Sequence, residues 1–223
     1  MDKAYPVSTP VVVRTLEKNK DPFRPRERGE ELLCPEVPYL SAIGALMYLA
    51  NCTRPDIAFS VNLLARHSSA PTRRHWTGVK QIFRYLRGTM DMGLFYSKDS
   101  KIELVGYVDV GYRSDPHKGR SQTGYVFTYG DTAISWRSTK QTPAATSSNH
   151  AELLALHETS RECVWLRPGK ATLKEIEQST LIQNSSSLTN FSRGEILMFV
   201  KFAHVKIQQI CLQKHFQHLL SRS

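Results

Sequence analysis

The period of the hydrophobic pattern changes at Gly88, and that change limits what the chain can fold into. Before it, Trp76, Val79, Ile82, Phe83 and Leu86 recur at helical spacing and make one apolar stripe along Pro71 to Arg87. After it, three short runs have strand character: Ile102 to Asp109, Gly124 to Tyr129 and Ala133 to Trp136. Turn residues separate them at Ser114-Asp115-Pro116 and Gly130-Asp131. A further helix is expected from about His150 to Leu166. Gly88 itself is expected to stop the preceding helix as a C′ glycine. Helices, then strands, then a helix predict an α+β or mixed α/β chain.

Upstream, Tyr39 to Ala50 is almost wholly apolar and is expected to be a buried helix. Pro55 to His67 opens with a proline, which suits a first helical position. Residues 1–38 hold six prolines and a charged run, Arg24-Pro25-Arg26-Glu27-Arg28, and read as an extended arm. Beyond Pro168-Gly169 the pattern is poorly periodic. Leu181-Ile182 fits one more short strand, and residues 204–223 carry no acid. The domain reading is an arm (1–38), a helical segment (39–90) and a mixed sheet-and-helix domain (91–223).

The 223 residues are 40% hydrophobic and 9% aromatic, enough for a packed core. Thirty Lys and Arg against 20 acids give a formal charge of +10, which favours polyanionic partners, nucleic acid first. Arg73, Arg74, Lys80, Arg84 and Arg87 lie mostly off the apolar stripe of their helix. They suit a phosphate track, and equally a solvated face. Cys34, Cys52, Cys163 and Cys211 stand far apart with no C-x-x-C pair, and are expected to be reduced, mostly buried thiols of an intracellular chain, cytoplasmic or nuclear. The start Met1-Asp2-Lys3-Ala4-Tyr5-Pro6 does not read as a signal peptide, and no run approaches the ~20 apolar residues of a membrane span. No membrane partner is expected.

Two carboxylates stand out. Asp109 closes a strand-like run, and Glu152 lies in the first turn of the last helix, on a face continuing through Leu156, Thr159 and Cys163. A strand-end carboxylate and one from a facing helix can share a divalent cation. The same residues also fit a capping box, with Asn149 as N-cap and Glu152 at N3. Spacing alone leaves both readings open and leans to the structural one.

The runs Tyr39-Leu40-Ser41-Ala42-Ile43-Gly44-Ala45-Leu46-Met47-Tyr48-Leu49, Thr53-Arg54-Pro55-Asp56-Ile57-Ala58-Phe59, His75-Trp76 and Arg84-Tyr85-Leu86-Arg87-Gly88-Thr89 are followed by Gly106-Tyr107-Val108-Asp109, Ser121-Gln122-Thr123-Gly124-Tyr125-Val126-Phe127, Ile134-Ser135-Trp136 and Ala151-Glu152-Leu153. In this order they resemble the Pol polyprotein of copia-type retrotransposons, over residues 1 to about 167. The resemblance implies that residues up to 90 are the thumb-like helical end of a reverse transcriptase, and that an RNase H-like domain with flanking helices follows, degenerate after about 167. The polymerase motif of that family, Tyr-x-Asp-Asp, has no counterpart, since the chain contains no Asp-Asp pair.

RNase H-type enzymes hold two metals with four carboxylates, which clamp the scissile phosphate and activate water. By resemblance, Asp109 and Glu152 match the first two. In Ile182-Gln183-Asn184-Ser185-Ser186 the third falls on Gln183, and in Ala203-His204-Val205-Lys206 the fourth falls on Lys206. Two acids and an added cation predict at best one loosely held Mg²⁺ and no efficient cleavage of an ancestral RNA–DNA hybrid. A weakly active RNase H would need Glu175, Glu177 or Glu195 to replace the lost acids. A different function is also open. Arg84-Tyr85-Leu86-Arg87 is a literal R-x-L-R, the motif of secreted oomycete effectors, and similar copia-derived chains occur among predicted effectors. That reading implies secretion into a host cell, a host plant protein as partner, and suppression of defence or cell death.

Overall fold

The structure, a computed structural model, describes residues 5–12, 14–15, 17–96, 104–129 and 132–166. Gln183, Lys206, Cys211, the Leu181-Ile182 strand and the three replacement glutamates lie outside them.

Among the described residues, four α-helices and a three-stranded antiparallel sheet make a mixed α/β structure. In chain order they are α1 (Tyr39–Cys52), α2 (Ala58–Ala65), α3 (Arg73–Gly88), β1 (Leu104–Asp115), β2 (Arg120–Tyr129), β3 (Thr132–Lys140) and α4 (Ser148–Leu166). The stretch read as one helix from Pro55 to His67 is a 3-10 turn, Pro55–Ile57, running into α2, with the proline at its start as expected. Among the described residues no helix is long and apolar enough to cross a membrane.

The helical core joins Ile43 and Leu46 of α1, Ile57, Val61 and Leu64, and Val79, Ile82 and Tyr85 of α3. Of the predicted α3 stripe, Val79 and Ile82 are fully buried, while Trp76, Phe83 and Leu86 pack at the core margin. α1 departs from expectation. Only Tyr39, Ile43, Leu46 and Ala50 are buried, one helical stripe, and Leu40, Met47 and Tyr48 face outward. A helix has two sides, and only one meets the bundle.

The arm packs onto this bundle. Phe23 enters the core at 4% exposure, over Gly78, where an added Cβ would stand 2.6 Å from the phenyl ring and 2.9 Å from Leu64. His75 holds the arm at another point. Its Nδ1 accepts from Thr72 N–H (3.0 Å), completing a capping box at the start of α3, and its Nε2 lies 3.1 Å from the Arg24 carbonyl. The His75 ring stacks on His67 at 4.0 Å. Burial first, then the neighbouring His75 and Arg66, push the pKa of His67 down to about 3. Gly88 is not a C′ glycine. It is the last residue of α3, with Thr89 at the C-cap, and an added Cβ there would meet Pro6 of the arm at 3.0 Å.

The strands run in the order β1-β2-β3 and are longer than the sequence suggested. β1 continues past Asp109 through a register shift between Gly111 and Asp115, where Arg113 takes a left-handed φ of 48°. α4 covers one face of the sheet, with Cys163 against Tyr125 and Phe127. The other face, with Tyr107, Val126 and Trp136, turns toward the helical bundle. Trp136 Nε1 donates to the Ala50 carbonyl (2.6 Å), and Gln122 bonds both Arg66 and Asn62 of that bundle.

Candidate functional site

Asp109 lies inside β1 rather than at a strand end, because Val110 to Asp115 continue the strand. It pairs with Gly124, which pairs with Ser138. Residues directly opposite in an antiparallel ladder share a face. By this register Asp109 stands on the side of Tyr107, Val126 and Trp136, whereas α4 packs on the side of Tyr125 and Phe127. Burial pushes the Asp109 carboxyl up to a pKa of about 6, opposed in part by the Val110 backbone N–H.

Glu152 lies just past the first turn of α4, not in it as expected, and has no capping role. The helix begins at Ser148, and Ser147 Oγ accepts from the N–H of His150 (3.1 Å). This displaces Asn149 as the cap. The buried face of α4 runs through Ala151, Ala155, Thr159 and Cys163. Glu152 is one position round from it and exposed, and Leu156 is only half-buried. Among the described residues no three His, Cys, Asp or Glu side chains gather as a metal would need.

The basic side chains of α3 divide. Arg73, Lys80 and Arg87 are exposed. Arg74 pairs with Glu30 of the arm, and Arg84 Nε donates to the Tyr5 carbonyl (2.7 Å). The R-x-L-R tetrapeptide is therefore built into the bundle. Tyr85 is fully buried under the Arg54 guanidinium, 5.7 Å from its ring centre, and Leu86 packs on the core. Among the described residues Cys34 and Cys52 are exposed and Cys163 is buried, which corrects the expectation of mostly buried thiols; none of the three forms a disulfide.

A cationic seam that no local motif announced lies where arm, bundle and sheet meet. A cavity of about 190 Å³ is lined by Arg14, Arg26, Arg66, Lys118 and Lys140. Asp21 and Asp115 are its acids, both held below the usual carboxylate range by hydrogen bonds and neighbouring cations that outweigh burial. Arg14 bonds Asp21 at 2.6 Å, and Lys140 reaches Asp115 at 3.3 Å. Arg66 is 4.0 Å from Asp115, and its Nε is buried without a partner. Burial, with Arg14 nearby, lowers its pKa to about 10, so it stays charged at neutral pH. Arg66 and Lys140 also line a second cavity of about 510 Å³, with Arg137, Arg161, the acids Glu158 and Glu162, and the exposed Trp165. These groups come from well-separated positions, which is why a linear reading missed them.

The chain is similar to retrovirus-related Pol polyproteins of plant transposons. It is 42% identical to that of transposon TNT 1-94 from Nicotiana tabacum over 75% of its own length and 12% of the relative's. It is 36% identical to that of transposon RE2 from Arabidopsis thaliana over 73% of its length and 11% of the relative's. The chain thus spans about an eighth or less of these polyproteins. It is also 44% identical to a protein named secreted RxLR effector protein 161 from Plasmopara viticola, over 58% of this chain and 92% of that one. No protein-family model and no solved structure matches.

Proposed function

Because the chain belongs to the family of copia-type retrotransposon Pol polyproteins, we propose that it is a non-catalytic Pol fragment, with a degenerate RNase H-like domain, that retains non-specific nucleic-acid binding. The placement of the two remaining acids carries the reading. Asp109 and Glu152 belong to different sides of the sheet by register, and Asp109 is buried enough to be half-protonated near pH 6. Gln183 and Lys206, at the other two family positions, add no carboxylate. A two-metal centre asks for several anionic oxygens around one point, and this donor set does not fit it.

Binding rests on the formal charge of +10 and on the cationic seam. It is expected to be insensitive to base sequence and to weaken steeply with salt. In a cleavage assay on an RNA–DNA hybrid with Mg²⁺ or Mn²⁺, the full chain is expected to give no turnover. Cleavage abolished by Asp109→Asn would overturn the non-catalytic reading.

The likeness to a protein named as a secreted effector favours a second reading, in which the chain suppresses defence or cell death in plant cells. The buried Tyr85 and the core-packed Leu86 weigh against a short linear signal at R-x-L-R, which would need the helix to open. Expression in leaf cells with a death elicitor separates the two readings, and undiminished death there eliminates the second.

A further inference from the structure

Resting on the nucleic-acid reading, we propose that the seam between arm, bundle and sheet is where the strand binds. A backbone phosphate occupies the 190 Å³ cavity, Arg66 and Lys140 form the shared wall, and a base stacks on Trp165 in the adjoining cavity.

Charge is the first argument. Five cationic side chains line the smaller cavity; Arg26 and Lys118 are exposed, which leaves the part-buried Arg14, Arg66 and Lys140 against Asp21 and Asp115, a surplus of one positive charge. Such a surplus is costly unless an anion offsets it. Arg66 carries the clearest sign, a buried guanidinium Nε with nothing to donate to. Guanidinium donors match phosphate oxygens in geometry and charge.

Size is the second. A space of about 190 Å³ lies below the ~300 Å³ at which small-molecule pockets begin, which suits a phosphate group and is small for a whole nucleotide. A nucleotide must therefore continue elsewhere, and the shared wall shows where. Beyond Arg66 and Lys140 the 510 Å³ cavity adds Arg137 and Arg161 together with Glu158 and Glu162, so it brings no further net charge and offers room for the sugar and base. Trp165, 86% exposed at its margin, offers an open ring face. Cations tracking a backbone beside an exposed aromatic ring are what single strands require. On α3, by contrast, the arm already engages Arg74 and Arg84.

The test uses the full chain, a fluorescein-labelled poly(dT) oligonucleotide and inorganic phosphate. Trp165→Ala is expected to weaken oligonucleotide binding roughly five- to a hundredfold, the equivalent of one lost base stack. Lys118→Gln and Lys140→Gln are each expected to reduce the slope of log affinity against log salt by about 0.7. Lys118 and Trp165 are exposed, so their substitution leaves the core intact. Inorganic phosphate is expected to compete with the oligonucleotide more strongly than chloride at equal ionic strength. If these three variants bind like the parent while Lys80→Gln lowers the slope, the seam assignment falls and the nucleic-acid reading stands. If phosphate raises the melting temperature of the parent but not of Lys140→Gln, and no variant alters oligonucleotide binding, the cavity is a free-phosphate site and the strand assignment falls. Absence of any binding at low salt overturns both.

Discussion

At the residue scale, Asp109 can be read by titration. Its carboxyl is shifted up to about 6 from an ordinary value of 3.8. The folded state therefore holds the proton more tightly than the unfolded chain. Below about pH 4 both states are protonated and the site costs nothing. As pH rises through 6, the folded state must ionise a buried acid and stability is lost. Asp109→Asn removes that loss. It is expected to stabilise the chain at pH 8 by roughly 1–2 kcal/mol, after allowance for partial solvent screening, and to be neutral at pH 4. Urea titrations of both proteins at the two pH values check this, and an equal difference at both would contradict it. Arg54 is the opposite kind of residue, a charge that is buried and satisfied. Its guanidinium bonds Asp56 at 3.0 and 2.7 Å and Thr89 at 3.1 and 2.6 Å, tying the start of the Pro55 turn to the end of α3. Arg54→Met would strand Asp56 and is expected to cost about 3–5 kcal/mol, whereas Arg54→Met with Asp56→Leu should cost clearly less. Denaturant unfolding of the single and double variants separates these outcomes.

At the element scale, what could be read from the sequence depended on contrast. α3 alternates core and charged residues at helical spacing, so its existence and its buried side followed from the pattern. α1 is apolar nearly all round. Its helical state was legible, but which side faces the core was not, because nothing polar marks the solvent side. The far half of β1 was missed for another reason. Gly111, Ser114 and Asp115 are turn formers, and only pairing with Gln122 and Arg120 keeps that stretch extended. Ser147, Ser148 and Asn149 are all competent caps, and the one used depends on which oxygen meets an N–H three residues on, here Ser147. Of the site, Asp109 and Glu152 stood out by position, but only the family motifs around them turned that position toward a functional reading. The Arg66–Lys140 seam was invisible, because arm, helix, turn and strand each contribute separately and no spacing rule links them.

At the scale of the whole molecule, polar bonds from Trp136 and Gln122 join the sheet to the bundle. The Trp136 indole donates to the Ala50 carbonyl at 2.6 Å, and Ala50 is 3% exposed. Trp136→Phe keeps most of the packing but leaves that carbonyl without its donor, and is expected to cost about 1–3 kcal/mol. Native-state hydrogen exchange should then show faster opening at the C-terminal end of α1 and in β3, with α3 little changed. Uniform acceleration throughout would mean that the joint is not a separate unit.

The seating of Phe23 above Gly78 has a practical corollary. A chain trimmed to begin at Tyr39 would lose its lid as well as its leading segment, and would present an open greasy socket floored by Leu64 and Gly78. Such a shortened product would be prone to clump. The proline-rich opening is roofing for the bundle, and any protease that clips it removes shelter from the very helices it leaves behind.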